Sequence, residues 1–153
     1  MTAQQRDLFT RRWRGARSTP DREVTMQIQL VHLLRWCKRD DVLMWHTPNG
    51  EIRDKRAAAK LKAMGVLPGV SDLVFLWKRY WEDSEGSHKA PAILFMELKL
   101  PGKAATDDQI SFGLAVRVAG ADFVVVRSID EALDELKRRD LLRHDRQVYG
   151  HRG

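Results

Sequence analysis

A single cysteine, Cys37, in a chain of 153 residues permits no intramolecular disulfide and no cysteine cluster for zinc. It fits a reducing, intracellular setting, cytoplasm or nucleoid. No apolar run approaches the ~20 residues of a membrane span, so no membrane partner is expected. The N-terminal segment has no apolar core of the signal-peptide kind. There is no internal repeat and no low-complexity block. Disulfide scaffolds, cysteine-based zinc modules and repeat architectures are thereby set aside.

What is present suits one soluble domain with a sizeable core. Hydrophobic residues make up 43% and charged residues 31%, and five tryptophans exceed what a disordered chain usually carries. A formal net charge of +6 and a pI near 9.8 favour a polyanionic partner, most simply nucleic acid. Much of that charge could also do no more than solvate helix faces.

Residues 1–20 are basic and polar, with Arg6, Arg11, Arg12, Arg14 and Arg17, and read as a flexible arm. Residues 21–140 read as the folded domain, and 141–153 as a charged tail. Helical periodicity is expected over 21–39, with Asp21 as N-cap and Ile28, Val31, Leu34 and Trp36 available for the core. A short strand is expected over 42–46, a turn over 47–50, and a basic helix over 53–64 ending at Gly65. Residues 72–76 and 93–98 have the short apolar runs of buried strands. The polar, aromatic stretch from Trp77 to Pro91 is expected to be a hairpin tip or loop. Thr106 caps a helix to about Ala119, residues 122–126 form a strand, and Ser128 caps a helix to about Arg138.

The chemistry concentrates at the ends of the two apolar runs. Asp72 opens the first, and Glu97 and Lys99 close the second. If the runs are neighbouring strands, two carboxylates and an ammonium converge. Strand alternation puts Glu97 and Lys99 on one face and Leu98 on the other. The Leu98 backbone carbonyl is a further oxygen donor. Hard divalent cations such as Mg²⁺ are held by carboxylate oxygens with positions left for water and phosphate, which is what phosphodiester hydrolysis requires. An E-x-K triplet is also the pattern of a surface ion pair. Here it ends an apolar strand, where unpaired charge is costly to bury.

Three segments carry a resemblance: Gly69-Val-Ser-Asp72, Met96-Glu-Leu-Lys99 and Gln109-Ile-Ser-Phe112. In this order they resemble the virus-type replication–repair nuclease (VRR-NUC) branch of the PD-(D/E)XK superfamily. Pro48-Asn-Gly50 and the Gly120-Ala-Asp-Phe-Val-Val segment look similar as well, so the resemblance spans roughly residues 22–136. It implies an α/β, restriction-endonuclease-like core with a central mixed β-sheet flanked by helices. It assigns metal binding and catalysis to Asp72, Glu97 and Lys99, a further metal ligand to Glu23 and a supporting role to Gln109. The cofactor it implies is Mg²⁺, with Mn²⁺ able to substitute. Val70-Ser71 departs from the family pattern, in which a proline often precedes the aspartate. That position shapes the bend and supplies no ligand.

The expected function is a DNA endonuclease acting on branched, Holliday-junction-like DNA as a homodimer. Rival readings are a non-catalytic DNA-binding module, a ribonuclease, or a nuclease subunit of a larger complex. Lys55, Arg56, Lys60, Lys62 and Lys103 are candidates for contacts to the nucleic-acid backbone, or else a solvated basic face. Trp77, Tyr80 and Trp81 could stack on bases, join a subunit contact, or sit in the core. His46 and His32 read as packing or surface residues.

Overall fold

A computed structural model of the chain describes residues 22–48 and 55–144. Its elements run α1 (Arg22–Cys37), β1 (Leu43–His46), α2 (Lys55–Ala63), β2 (Leu73–Asp83), β3 (Gly86–Leu98), α3 (Asp107–Val118), β4 (Asp122–Val126) and α4 (Ile129–Arg138). The strands form one sheet in the order β1-β2-β3-β4. β1, β2 and β3 are successively antiparallel, and β4 joins β3 in parallel. This is the mixed α/β sheet flanked by helices that the sequence implies.

Alternation along the strands divides the apolar residues between two layers. Leu73, Phe75 and Trp77 of β2, with Leu94, Met96 and Leu98 of β3, form the main core with Leu30, Leu33 and Leu34 of α1 and Leu133 and Leu136 of α4. The opposite face is covered by α3. There Phe112 packs edge-on against Phe95, with ring centroids 5.3 Å apart, and against Phe123 at 6.3 Å. Gly113 permits this approach: an added Cβ would lie 2.6 Å from the Phe123 ring. Gly113→Ala should therefore cost about 1–3 kcal/mol of stability through overpacking, read as a lower denaturation midpoint with an unchanged slope.

Three expectations need correction. The stretch from Trp77 to Pro91 is strand rather than loop: β2 and β3 pair without interruption from Leu73↔Met96 to Asp83↔Gly86. Cross-strand hydrogen bonding sustains this ribbon where no hydrophobic alternation announces it. Trp36 is 77% exposed and Ile28 is also exposed, while Leu30 and Leu33 are buried. The helix turns a Leu30–Leu33–Leu34 stripe inward, and Trp36 lies off that stripe. Elsewhere some ends fall slightly inside the expected bounds: β1 begins at Leu43 and α1 ends at Cys37.

The proposed arm (1–20), the Asp21 cap and Asn49–Gly50 lie outside the described residues. Past residue 140, Leu141 is buried in the core, and Leu142 forms a bridge to Lys38. Cys37 is half-buried against the core. Among the described residues no helix is long and apolar enough to cross a membrane.

Candidate active site

The strand ends meet as the sequence pattern anticipates. At the mouth of β2 the Asp72 carbonyl accepts hydrogen bonds from the Thr47 amide (3.1 Å) and from His46 Nδ1 (2.8 Å). The Thr47 hydroxyl donates to the Ser71 carbonyl beside it. β1 thus pins the backbone that carries Asp72. The Asp72 side chain reaches across to β3, where Oδ2 accepts the Leu98 amide at 2.8 Å. A strand residue directs its N–H and C=O to the same edge, so the Leu98 carbonyl also borders Asp72.

Glu97 is 1% exposed. Its Oε1 accepts from Lys99 Nζ at 2.8 Å and from the Gln109 side-chain amide. The Gln109 amide has a determined direction. Gln109 is the third residue of α3, and its Oε1 accepts the Thr106 backbone N–H (2.9 Å) while Thr106 Oγ1 accepts the Gln109 N–H (3.3 Å). This capping box turns the amide NH₂ towards Glu97. The signature Thr106-x-x-Gln109 is legible in the sequence; its link to Glu97 is not.

Glu23, in the first turn of α1, accepts the Leu100 amide at 3.2 Å and lies 3.8 Å from Lys99 Nζ. The Lys99 ammonium is therefore shared between Glu97 and Glu23. Glu23, His46, Asp72, Glu97, Lys99 and Gln109 all line one cavity of about 620 Å³. Sequence reasoning missed His46 and Gln27 as part of it; Gln27 lines the same cavity and approaches His46 Nδ1 at 2.7 Å.

The electrostatics follow from burial. Desolvation, reinforced by the neighbouring Asp72 and Glu23 charges, pushes the Glu97 carboxyl up to about 7 despite its bond to Lys99. Desolvation likewise raises the Asp72 carboxyl, against the Leu98 amide and the Lys99 charge. For Lys99 burial opposes the charge, yet the Glu97 hydrogen bond and the carboxylates around it prevail and raise its pKa. Lys99 is held as a cation.

The basic candidates lie elsewhere. Lys60 and Lys62 are exposed on α2, and Lys103 is exposed in the turn after β3. Lys55 and Arg56 open α2. Lys60, Lys62 and Lys103 do not line the cavity. Trp77 is a core residue, whereas Tyr80 and Trp81 are exposed.

No protein-family model matches the chain, and no curated protein matches it in sequence. Among solved structures, a protein described as "VRR_NUC domain protein" superposes with a TM-score of 0.55 at 22% identity, over 76% of this chain and 86% of that chain. The fold is VRR-NUC-like. At that identity the likeness concerns the fold alone, and the chemistry rests on the side chains.

Whether those side chains suit a divalent cation can be judged from one atom. Glu97 Oε2 is buried and has no hydrogen-bond partner, a costly arrangement unless something positively charged faces it. The Asp72 carboxylate is near enough to raise the Glu97 carboxyl, and Asp72, Glu97 and Leu98 line the same cavity in this VRR-NUC-like fold. Among the described residues no three Asp, Glu, His or Cys side chains group closely enough to hold a metal by themselves. Two carboxylates and a carbonyl suit Mg²⁺, which keeps several waters and rarely has an all-protein cage. Glu23, engaged with Lys99 and Leu100, stands next to this donor set.

Proposed function

We propose that the chain is a Mg²⁺-dependent DNA endonuclease, with Mn²⁺ able to substitute. The observation that carries the reading is the buried, unpartnered Glu97 Oε2 beside Asp72 and Lys99 in an open cavity. Hydrolysis forms a bond from a water oxygen to phosphorus and breaks the bond to one bridging oxygen. The water must lose a proton as the leaving oxygen gains one.

When bound by Asp72, Glu97 and the Leu98 carbonyl, Mg²⁺ supplies a water of lowered pKa and neutralises phosphate charge. The protein's own part is positioning. Gln109 and Lys99 hold Glu97 by Oε1, which leaves Oε2 for the cation. The Leu98 amide holds Asp72 by Oδ2. Lys99, kept charged, serves as a hydrogen-bond donor to a phosphate oxygen or to the attacking water rather than as a base. Lysines on α2 and Lys103 would contact phosphates without reading sequence.

The finer reading is a homodimer acting on branched DNA, since two sites related by a two-fold axis suit a paired junction cut. The test is cleavage of end-labelled duplex, flap and four-way substrates with Mg²⁺, with EDTA as control, alongside the mass in solution. EDTA-sensitive cutting is expected. Binding without cutting on every substrate would leave a DNA-binding module instead.

The pH dependence follows from Glu97. Its carboxyl titrates higher in the fold than the ordinary 4.5, so the fold favours the protonated form. Metal-free protein should lose stability as pH rises from about 4.5 through about 7. Because a cation must displace the proton, Mg²⁺ affinity should rise over the same window and level off above it. Thermal melts at several pH values, with and without Mg²⁺, measure both. A metal-free melting temperature that is flat across that window would contradict the assignment.

A further inference from the structure

β1 pairs with β2 only as far as Leu76, and β4 pairs with β3 only from Leu94. Beyond those positions β2 and β3 continue as a two-stranded ribbon to the turn at Ser84-Glu85. An isolated two-stranded ribbon is marginal in water, and this one carries two exposed aromatics, Tyr80 and Trp81. Its two faces differ. On one, Trp81 is already stacked on His88, with centroids 5.4 Å apart and planes 18° from parallel. On the other, Tyr80 is 64% exposed and stands directly across from Lys89, with Lys78 two residues away on the same face.

Charge distinguishes the partner. Outside the strand ladder, the Lys78 and Lys89 ammonium groups make no hydrogen bond or ion pair among the described residues. Two nearby acids are engaged locally: Glu82 accepts from Ser87 (3.2 Å), and Asp83 accepts from the Glu85 amide (2.8 Å) and pairs with His88 (2.9 Å). An exposed aromatic ring between two unpaired ammonium groups matches a nucleic-acid strand, with a base on the ring and phosphates on the lysines. Uninterrupted register places Lys89 on the same sheet face as Glu97. Eight residues at ~3.3 Å separate them, about 26 Å.

We infer that Lys78, Tyr80 and Lys89 form a second nucleic-acid contact, a stacking platform for an unpaired base of the substrate about 26 Å from the catalytic carboxylates. This deepens the nuclease reading by naming the substrate feature: a single-stranded stretch beside the cleavage point, some eight nucleotides away at the ~3.4 Å spacing of a duplex strand.

The test measures binding in EDTA, so it does not depend on cleavage. Full-length protein is titrated into a duplex bearing a single-stranded extension with 2-aminopurine at successive positions, and into a blunt duplex of equal length. Wild type should bind the extended DNA more tightly and quench the probe at one or two adjacent positions. Tyr80→Ala should weaken binding to the extension roughly 5- to 100-fold and abolish quenching, with blunt-duplex binding unchanged. Tyr80→Phe should restore both. Lys78→Gln with Lys89→Gln should reduce the salt slope by about 1.4, at ~0.7 per single-strand phosphate. Equal binding of the extension by wild type and Tyr80→Ala would overturn the inference. Stacking without Mg²⁺-dependent cutting would uphold the platform and sink the nuclease; cutting without any Tyr80 effect would do the reverse.

Discussion

Lys99→Ala should reduce cleavage by at least on the order of 10²–10³-fold while leaving DNA affinity nearly unchanged. Lys99 is the cation shared by Glu97 and Glu23, at 2.8 Å and 3.8 Å. Its loss removes a preorganised donor at the place where phosphate charge accumulates. It also leaves Glu97 and Asp72, both already raised by burial, without their nearest countercharge. Glu97 should then hold its proton to still higher pH. Asp72→Ala and Glu97→Ala should abolish cleavage outright, since each removes one of two carboxylate donors. Single-turnover cleavage and anisotropy on the same labelled DNA separate chemistry from binding. A fully active Lys99→Ala protein would rule out the proposed mechanism.

Gly69→Ala should damage the site from a distance. Gly69 has φ +73°, where a Cβ is strained, and that atom would sit 2.4 Å from the Asp108 carbonyl group and 2.6 Å from the Gln109 nitrogen. The obstacle is backbone, in the first turn of α3, so no side-chain rotation relieves it. Left-handed strain of ~1–2 kcal/mol together with overpacking of ~1–3 kcal/mol gives a loss of about 3 kcal/mol. The first turn of α3 is also where Gln109 is locked by its capping box before it reaches Glu97. Relief by sliding α3 away would release Glu97 Oε1. Gly69→Ala should therefore lower the melting temperature and, under conditions where it remains folded, lower cleavage with little change in DNA affinity. Wild-type stability and activity in this variant would show that the bend and α3 are not in close contact.

Residue types and local order were enough to place much of this protein. Asp72 at the mouth of β2 and the Glu97-x-Lys99 pair, the caps at Thr106 and Ser128, and the strand 122–126 depend on spacing and on hydrogen bonds made within a few residues. A sequence displays such features directly. The α/β class was what the resemblance of those motifs implied.

Tertiary structure alone decided the rest. Trp36 and Ile28 carry the same apolar signal as Leu30 and Leu33, and only the docking angle of α1 sends one pair outward and the other into the core. The long β2–β3 ribbon, polar over its outer half, owes its existence to pairing between chains of atoms that no local pattern reports. Glu23 meets Lys99 and Leu100 across most of the domain, and Gln109 meets Glu97 from a different element. Above all, the burial that raises Glu97 and leaves its Oε2 without a partner is a property of what surrounds the carboxylate. The sequence determined which ionisable groups are at hand; packing decided which oxygen is held, which is bare, and how far burial favours the proton on each carboxyl.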